Sequence, residues 1–288
     1  MNQSLATTTQ ETVNNDSGLK IFFRSWHPDD TARATAVIVP GFNAHSGYYE
    51  WVAEQLVADG LAVYAVDLRG RGNSDGERFY VEAFEDYVRD VEAVMAVVKS
   101  REQGLPIFLL GHSAGGVVAC LYTLDYQAEL KGLICESFAH ELPAPDFALA
   151  VFKGLSHVAP HAHILHLPNE RFSRDPKAVE VMDNDPLIAH ETQPTQTMAA
   201  MVRADERLKR EFPLIKLPVF IIHGTADKNT RPSGSQHFYD MAGSTDKTLK
   251  LYEDGFHDLL NDIDKELVIG DIKSWIDRHF TAAAGSHD

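Results

Sequence analysis

The stretch from Ile107 to Cys120, IFLLGHSAGGVVAC, limits what this chain can fold into more than any other. It opens on a continuous apolar run, Ile107, Phe108, Leu109 and Leu110, and closes on small and apolar residues that suit a tightly packed helix. Between them sits Gly111-His112-Ser113-Ala114-Gly115. A G-x-S-x-G in that setting is an abrupt turn from a buried strand into a helix, with the serine at its apex. The flanking glycines answer a steric need: the apex residue is held in strained φ/ψ, and a Cβ two residues away would clash. The turn lifts the hydroxyl clear of a sheet and aims the first backbone N–H groups of the new helix at whatever the serine attacks.

The rest of the chain alternates in the same manner. Residues 19–26, 34–39, 61–66, 131–135, 217–222 and 247–252 read as further strands, several of them apolar throughout and so buried on both faces. Residues 48–59, 84–98, 234–241 and 265–280 have helical spacing, and Gly60 serves as a C-cap for the first of these. Strands alternating with helices predict an α/β fold, with a mainly parallel sheet and helices on both faces. Residues 1–17, rich in Thr, Asn and Gln, are expected to fray as a disordered tail. The core is expected over 18–137 and 214–281. Residues 138–213 break the alternation: helical in pattern, they are cut by Pro143, Pro145, Pro160, Pro168, Pro176, Pro186 and Pro194. An insertion of this size is most simply a helical cap over the carboxyl edge of the sheet, where open α/β sheets bind ligands. Such a subdomain can also carry a small core of its own.

Composition narrows the function classes. A net charge of −16 argues against nucleic acid or an anionic membrane surface as a partner. Two cysteines, Cys120 and Cys135, cannot build a disulfide framework, and both lie in apolar stretches, so buried free thiols are expected. The first residues have neither a basic start nor an apolar core of a signal peptide, and no apolar run reaches the ~18 residues of a membrane span. A cytoplasmic location is the expectation. His157, His161, His163 and His166 invite a metal reading, but Pro160 interrupts the helix needed to align the first two, and no metal is expected. The loop around Gly70 and Gly72 lacks both phosphate-cradle patterns.

A serine hydroxyl needs a base within hydrogen-bond reach, and the base needs a third group to fix its tautomer. Two later strand ends offer these parts. One runs Ile221-Ile222-His223-Gly224-Thr225-Ala226-Asp227, the other Tyr252-Glu253-Asp254-Gly255-Phe256-His257. The order Ser113, Asp227, His257 is the one this kind of turn leads one to expect. The oxyanion of an acyl-transfer intermediate needs two preset N–H donors. Ala114, directly after the serine, is one candidate; Phe42, in the loop after the second strand, is the other, ahead of Asn43.

On these residues the chain resembles an α/β-hydrolase of the monoacylglycerol lipase and lysophospholipase group of serine hydrolases. The likeness is carried by Gly41 and His45-Ser46-Gly47-Tyr48-Tyr49, by Asp67 to Gly76, by Gly111 to Gly116, by Asp185-Pro186-Leu187, by His223 to Asp227 and by Phe256-His257. It runs from about Leu19 to about Phe280. The resemblance implies hydrolysis of a small-molecule ester through an acyl-enzyme, without metal or cofactor, beneath a mobile apolar cap that can touch lipid transiently. Three positions depart from the family pattern. Pro40 stands where a histidine is usual. Ala44 replaces a glutamate before His45, in a region that helps relatives hold glycerol. Glu136-Ser137-Phe138 follows the strand ending at Cys135, where small residues and a proline are usual. Glu136 is open to three readings: a structural residue, an alternative to Asp227 in orienting His257, or a contact to a polar substrate group. His45, Glu136, Phe147, Val151 and Phe152 are the candidates for substrate contact, the last three through an apolar acyl group. Amide or carbon–carbon bond hydrolysis on the same triad, and a hydrolase-fold binding protein with little turnover, are the rival readings.

Overall fold

The computed structural model describes residues 7–140 and 153–281. The main sheet is built from β1 (Thr7–Asn14), β2 (Lys20–His27), β3 (Ala34–Val39), β4 (Leu61–Val66), β5 (Ile107–His112) and β6 (Gly132–Glu136). A short ribbon of β7 (His163–His166) and β8 (Thr192–Pro194) stands apart, and β9 (Val219–Gly224) and β10 (Lys247–Tyr252) complete the sheet. The helices are α1 (Glu50–Ala58), α2 (Phe84–Arg101), α3 (Ala114–Tyr126), α4 (Pro176–Asp183), α5 (Thr195–Glu211), α6 (Pro232–Met241) and α7 (Lys265–Thr281). The eight strands run in the order β1-β2-β4-β3-β5-β6-β9-β10. All neighbours from β4 to β10 pair in parallel, and β2 is antiparallel to both β1 and β4.

Every residue of β3, β4, β5, β6 and β9 is buried, which is what an unbroken apolar run requires when helices cover both faces. Strand alternation then divides the core in two. Val37, Val39, Leu109, Leu133 and Ile221 face α2 and α3; Ala36, Ile38, Leu110, Ile134 and Ile222 face α1 and α7. Cys120 and Cys135 are buried free thiols with their sulfurs 3.6 Å apart.

Two expectations need correction. Residues 7–14 do not fray. They form an edge strand in full register with β2, from Thr7 opposite His27 to Asn14 opposite Lys20. Half-buried and exposed positions alternate along it, and the Asn15 side chain accepts from the Ser17 and Leu19 amides to close the hairpin. A polar strand with one partner draws its stability from ladder hydrogen bonds, which composition does not reveal. The insertion between β6 and β9 is also not wholly helical: β7 and β8 pair antiparallel within it. They are too short for a visible period. Phe172, Met182 and Ile188 form a small cluster of the insertion's own, whereas Met198, Met201, Ala204 and Leu208 of α5 join the main core beside α3. Among the described residues, no helix is long and apolar enough to cross a membrane.

Candidate active site

The turn between β5 and α3 has the strain its sequence implied. Ser113 sits at φ 54°, ψ −120°. A Cβ on Gly115 would collide with the carbonyl oxygens of Val39 and Pro40. Gly41 matters for the same reason on the facing loop: a Cβ there would come within 2.8 Å of the Ser113 Cβ and 2.9 Å of the His112 carbonyl oxygen. The loop after β3 can therefore lie against the turn only with glycine at 41, the residue before Phe42. Ala114 opens α3, so its N–H belongs to the first turn, whose donors lack intrahelical acceptors.

Ser113, Asp227 and His257 meet at the carboxyl ends of β5, β9 and β10. His257 Nε2 lies 2.8 Å from Ser113 Oγ, and His257 Nδ1 lies 2.7 Å from Asp227 Oδ2. The carboxylate is held in place by others as well. Its Oδ1 accepts from the Asn229 and Thr230 amides at 2.7 and 3.1 Å. Its Oδ2 also accepts from the Thr230 hydroxyl at 2.7 Å and stands 3.0 Å from His223 Nε2. Burial alone would raise the Asp227 pKa; the charge of His257 and the hydrogen bonds from His223 and His257 outweigh it and hold the carboxyl well below its usual range. Asp227 is therefore an anion, able to stabilise an imidazolium. Phe172, from the insertion, meets the His257 ring edge-on at 5.1 Å between centroids, and its carbonyl accepts from the Asp258 amide at 2.8 Å.

The insertion touches the loops after β3, β4 and β10. Asn43 donates to the Leu167 carbonyl and to Asn169 at 3.1 and 3.0 Å. Arg71, buried, pairs with Glu191, donates to Gln193 at 2.9 Å and lies 4.2 Å from the centroid of the Phe42 ring. Neither Arg71 nor Thr230 stands out in the sequence as a supporting residue; the only signal is a charge inside a glycine-punctuated loop and a hydroxyl three residues past Asp227.

Two candidate substrate residues are engaged elsewhere. His45 Nδ1 accepts from the Gly47 amide at 3.0 Å, so its Nε2 carries the proton and donates to Asp185 Oδ2 at 2.7 Å. Tyr48 donates to the same oxygen at 2.6 Å. Both ring nitrogens of His45 are thus occupied: Nδ1 within its own loop, Nε2 in a latch to the insertion. Glu136 is fully buried and bonds not to His257 but to the Leu260 amide, at 3.0 Å. Phe147, Val151 and Phe152 lie outside the described residues. The insertion's histidines do not gather: His161 pairs with Glu77 and stacks on Tyr80, and His163 bonds to Thr192.

Residues 30–264 match the family described as serine aminopeptidase, S33. Among curated proteins, the monoglyceride lipase of Homo sapiens is 32% identical over 277 residues, covering 94% of this chain and 91% of the relative. The monoacylglycerol lipase of Mycolicibacterium smegmatis is 30% identical over 265 residues, covering 91% and 94%. The crystal structure of Paleococcus ferrophilus monoacylglycerol lipase superposes with a TM-score of 0.81 at 28% identity, over 90% of this chain and 99% of that one. With a strained serine turn, a parallel sheet and this extent of likeness, the chain belongs to the serine aminopeptidase S33 family of α/β-hydrolases and, within it, to the monoacylglycerol lipase group of serine hydrolases acting on esters.

Proposed function

We propose that the protein hydrolyses a carboxylic ester with an apolar acyl group through an acyl-enzyme on Ser113. The observation that carries this reading is the unbroken relay from Ser113 Oγ through His257 to Asp227, at 2.8 and 2.7 Å. His257 Nε2 takes the hydroxyl proton as Oγ attacks the acyl carbon. The oxyanion is held by the Phe42 and Ala114 N–H groups, each a donor of the kind whose loss costs about 2.7–4 kcal/mol. His257 then returns the proton to the departing alcohol. In the second half it deprotonates a water, which releases the acid and restores Ser113. Asp227 holds the imidazole in the tautomer that leaves Nε2 free to accept.

The relatives named monoacylglycerol and monoglyceride lipases support a monoacylglycerol as substrate, with a lysophospholipid or a simple carboxylic ester as the alternatives. Residues 138–213 would act as the cap, and the apolar residues Phe147, Val151 and Phe152 favour an acyl chain, at ~0.8 kcal/mol per buried CH₂. Ala44, in place of the family glutamate, favours esters whose alcohol part is not held by that side chain. The two free thiols support a cytoplasmic site of action.

A second reading, amide hydrolysis, has the family description in its favour. p-Nitrophenyl esters of graded chain length, assayed against matched anilides, separate the two. Turnover of the esters, together with covalent labelling of Ser113 by a fluorophosphonate and its loss in Ser113→Ala, is the expected result. Labelling without ester turnover but with anilide turnover would transfer the assignment to amides.

A further inference from the structure

Glu136 ends β6, opposite His112 on β5 and Ile222 on β9. Its two polar ends serve different loops. The main-chain carbonyl accepts from the Ser113 amide at 2.9 Å, and side-chain Oε1 accepts from the Leu260 amide at 3.0 Å, three residues past His257. One residue therefore grips the serine turn with its backbone and the histidine loop with its side chain. The side chain is fully buried, and Oε2 has no hydrogen-bond partner among the described residues.

The surroundings decide the form of this carboxyl. One atom each from His112, Glu136 and Asp258 lie within 4.8 Å of one another. Asp258 belongs to the histidine loop itself; Asp227, Tyr49 from the turn before α1, and Tyr252 at the end of β10 also interact electrostatically with Glu136 or lie close enough to do so. His112 offers no compensating charge, because burial first and the charge of His257 second hold it neutral down to about 3. Burial, and then the charge of Asp258, push the Glu136 carboxyl well above its usual range.

We propose that Glu136 is a positioning residue that sets Ser113 and His257 relative to each other, and that it does so as a hydrogen-bond acceptor rather than as an anion. This rests on the reading of Ser113 and His257 as nucleophile and base. It separates Glu136 from Asp227, which alone of the two touches the imidazole.

The test compares the wild type with Glu136→Gln and Glu136→Ala. The readouts are kcat and KM on a p-nitrophenyl ester, the rate of fluorophosphonate labelling of Ser113, and the melting temperature. Glutamine keeps the acceptor for Leu260 and cannot ionise, so its kcat should stay within about threefold of wild type, with an unshifted pH–rate profile between about pH 6 and 9. Alanine removes the acceptor, so kcat and the labelling rate should fall together by about 10- to 100-fold, with KM within about twofold, at temperatures where the variant is folded. Wild-type kcat in Glu136→Ala, a loss confined to KM, or a loss in Glu136→Gln as deep as in Glu136→Ala would each overturn the proposal. Should Glu136→Ala not fold, the Gln variant decides: a displaced pH profile or a large loss of kcat overturns it. A wild type that is neither labelled nor active would instead sink the underlying reading of Ser113, and the role of Glu136 with it.

Discussion

The guanidinium of Arg71 lies over the ring of Phe42, 4.2 Å from its centroid, and pairs at the same time with Glu191 in the insertion. Its Nε donates to the Tyr87 hydroxyl at 3.3 Å, and Gln193 takes another of its donors. One buried cation thus fastens the loop after β3, the glycine loop after β4 and the base of the insertion together. Removing one partner of a buried pair leaves the other uncompensated, at a cost of about 3–5 kcal/mol. Arg71→Met should therefore lower the free energy of urea unfolding by about that amount. The double variant with Glu191→Met should recover part of the loss, since no lone charge is then buried. A single-variant loss below about 1 kcal/mol would show that the pair contributes little.

Asp227 accepts from His257, Thr230 and two main-chain amides. Asp227→Asn keeps the shape but offers an amide where His257 Nδ1 needs an acceptor, and so favours the wrong tautomer. Loss of kcat on the order of 10⁴ is expected, as in comparable triads, with fluorophosphonate labelling slowed in parallel. An active Asp227→Asn variant would mean that another acceptor serves His257.

Acid should weaken the fold through its buried histidines. Burial, ahead of the charge of His257, depresses His112 from its ordinary 6.5 to about 3, and burial also depresses His223. In the unfolded chain both take a proton as pH falls through 6.5, while the native protein does not follow. For His112, unfolding is thus favoured progressively from about 6.5 down to about 3, by up to about 1.4 kcal/mol per pH unit, and His223 acts in the same direction. Glu136 and Asp258, whose pKa values burial raises, work in the opposite sense, since the native state holds their protons at a pH where the unfolded chain has lost them. The slope of stability against pH in urea titrations between pH 7 and 4.5 is the balance of these opposed groups. His112→Gln should reduce that slope by up to one proton; an unchanged slope would mean that His112 is charged in the native state.

His45 and Tyr48 both end on Asp185. Asp185→Ala strands two largely buried donors, so a loss of about 1–3 kcal/mol is expected, together with faster limited proteolysis between β6 and β9. If His45 served the substrate instead of the latch, Asp185→Ala would leave stability unchanged.

The strand and helix pattern was legible because its causes are local. A run such as Ala34–Val39 declares burial on both faces, and the glycine at 111 declares a close contact with the first turn of the helix after Ser113. The edge strand at Thr7–Asn14 was not legible, since its reason for order is the ladder to β2 and not its own side chains. The ribbon of β7 and β8 was hidden likewise, its two halves lying 25 or more residues apart.

From its residues alone this chain determined an α/β order of elements, a serine raised on a strained turn, and a carboxylate and a histidine at later strand ends, because spacing and steric demand act over short stretches. Only the tertiary structure decided which groups each polar side chain would meet: Asp185 for His45, Leu260 for Glu136, Glu191 for Arg71. Those partners lie more than 100 residues apart in sequence, and a buried donor or acceptor takes whatever partner the packing brings within about 3 Å.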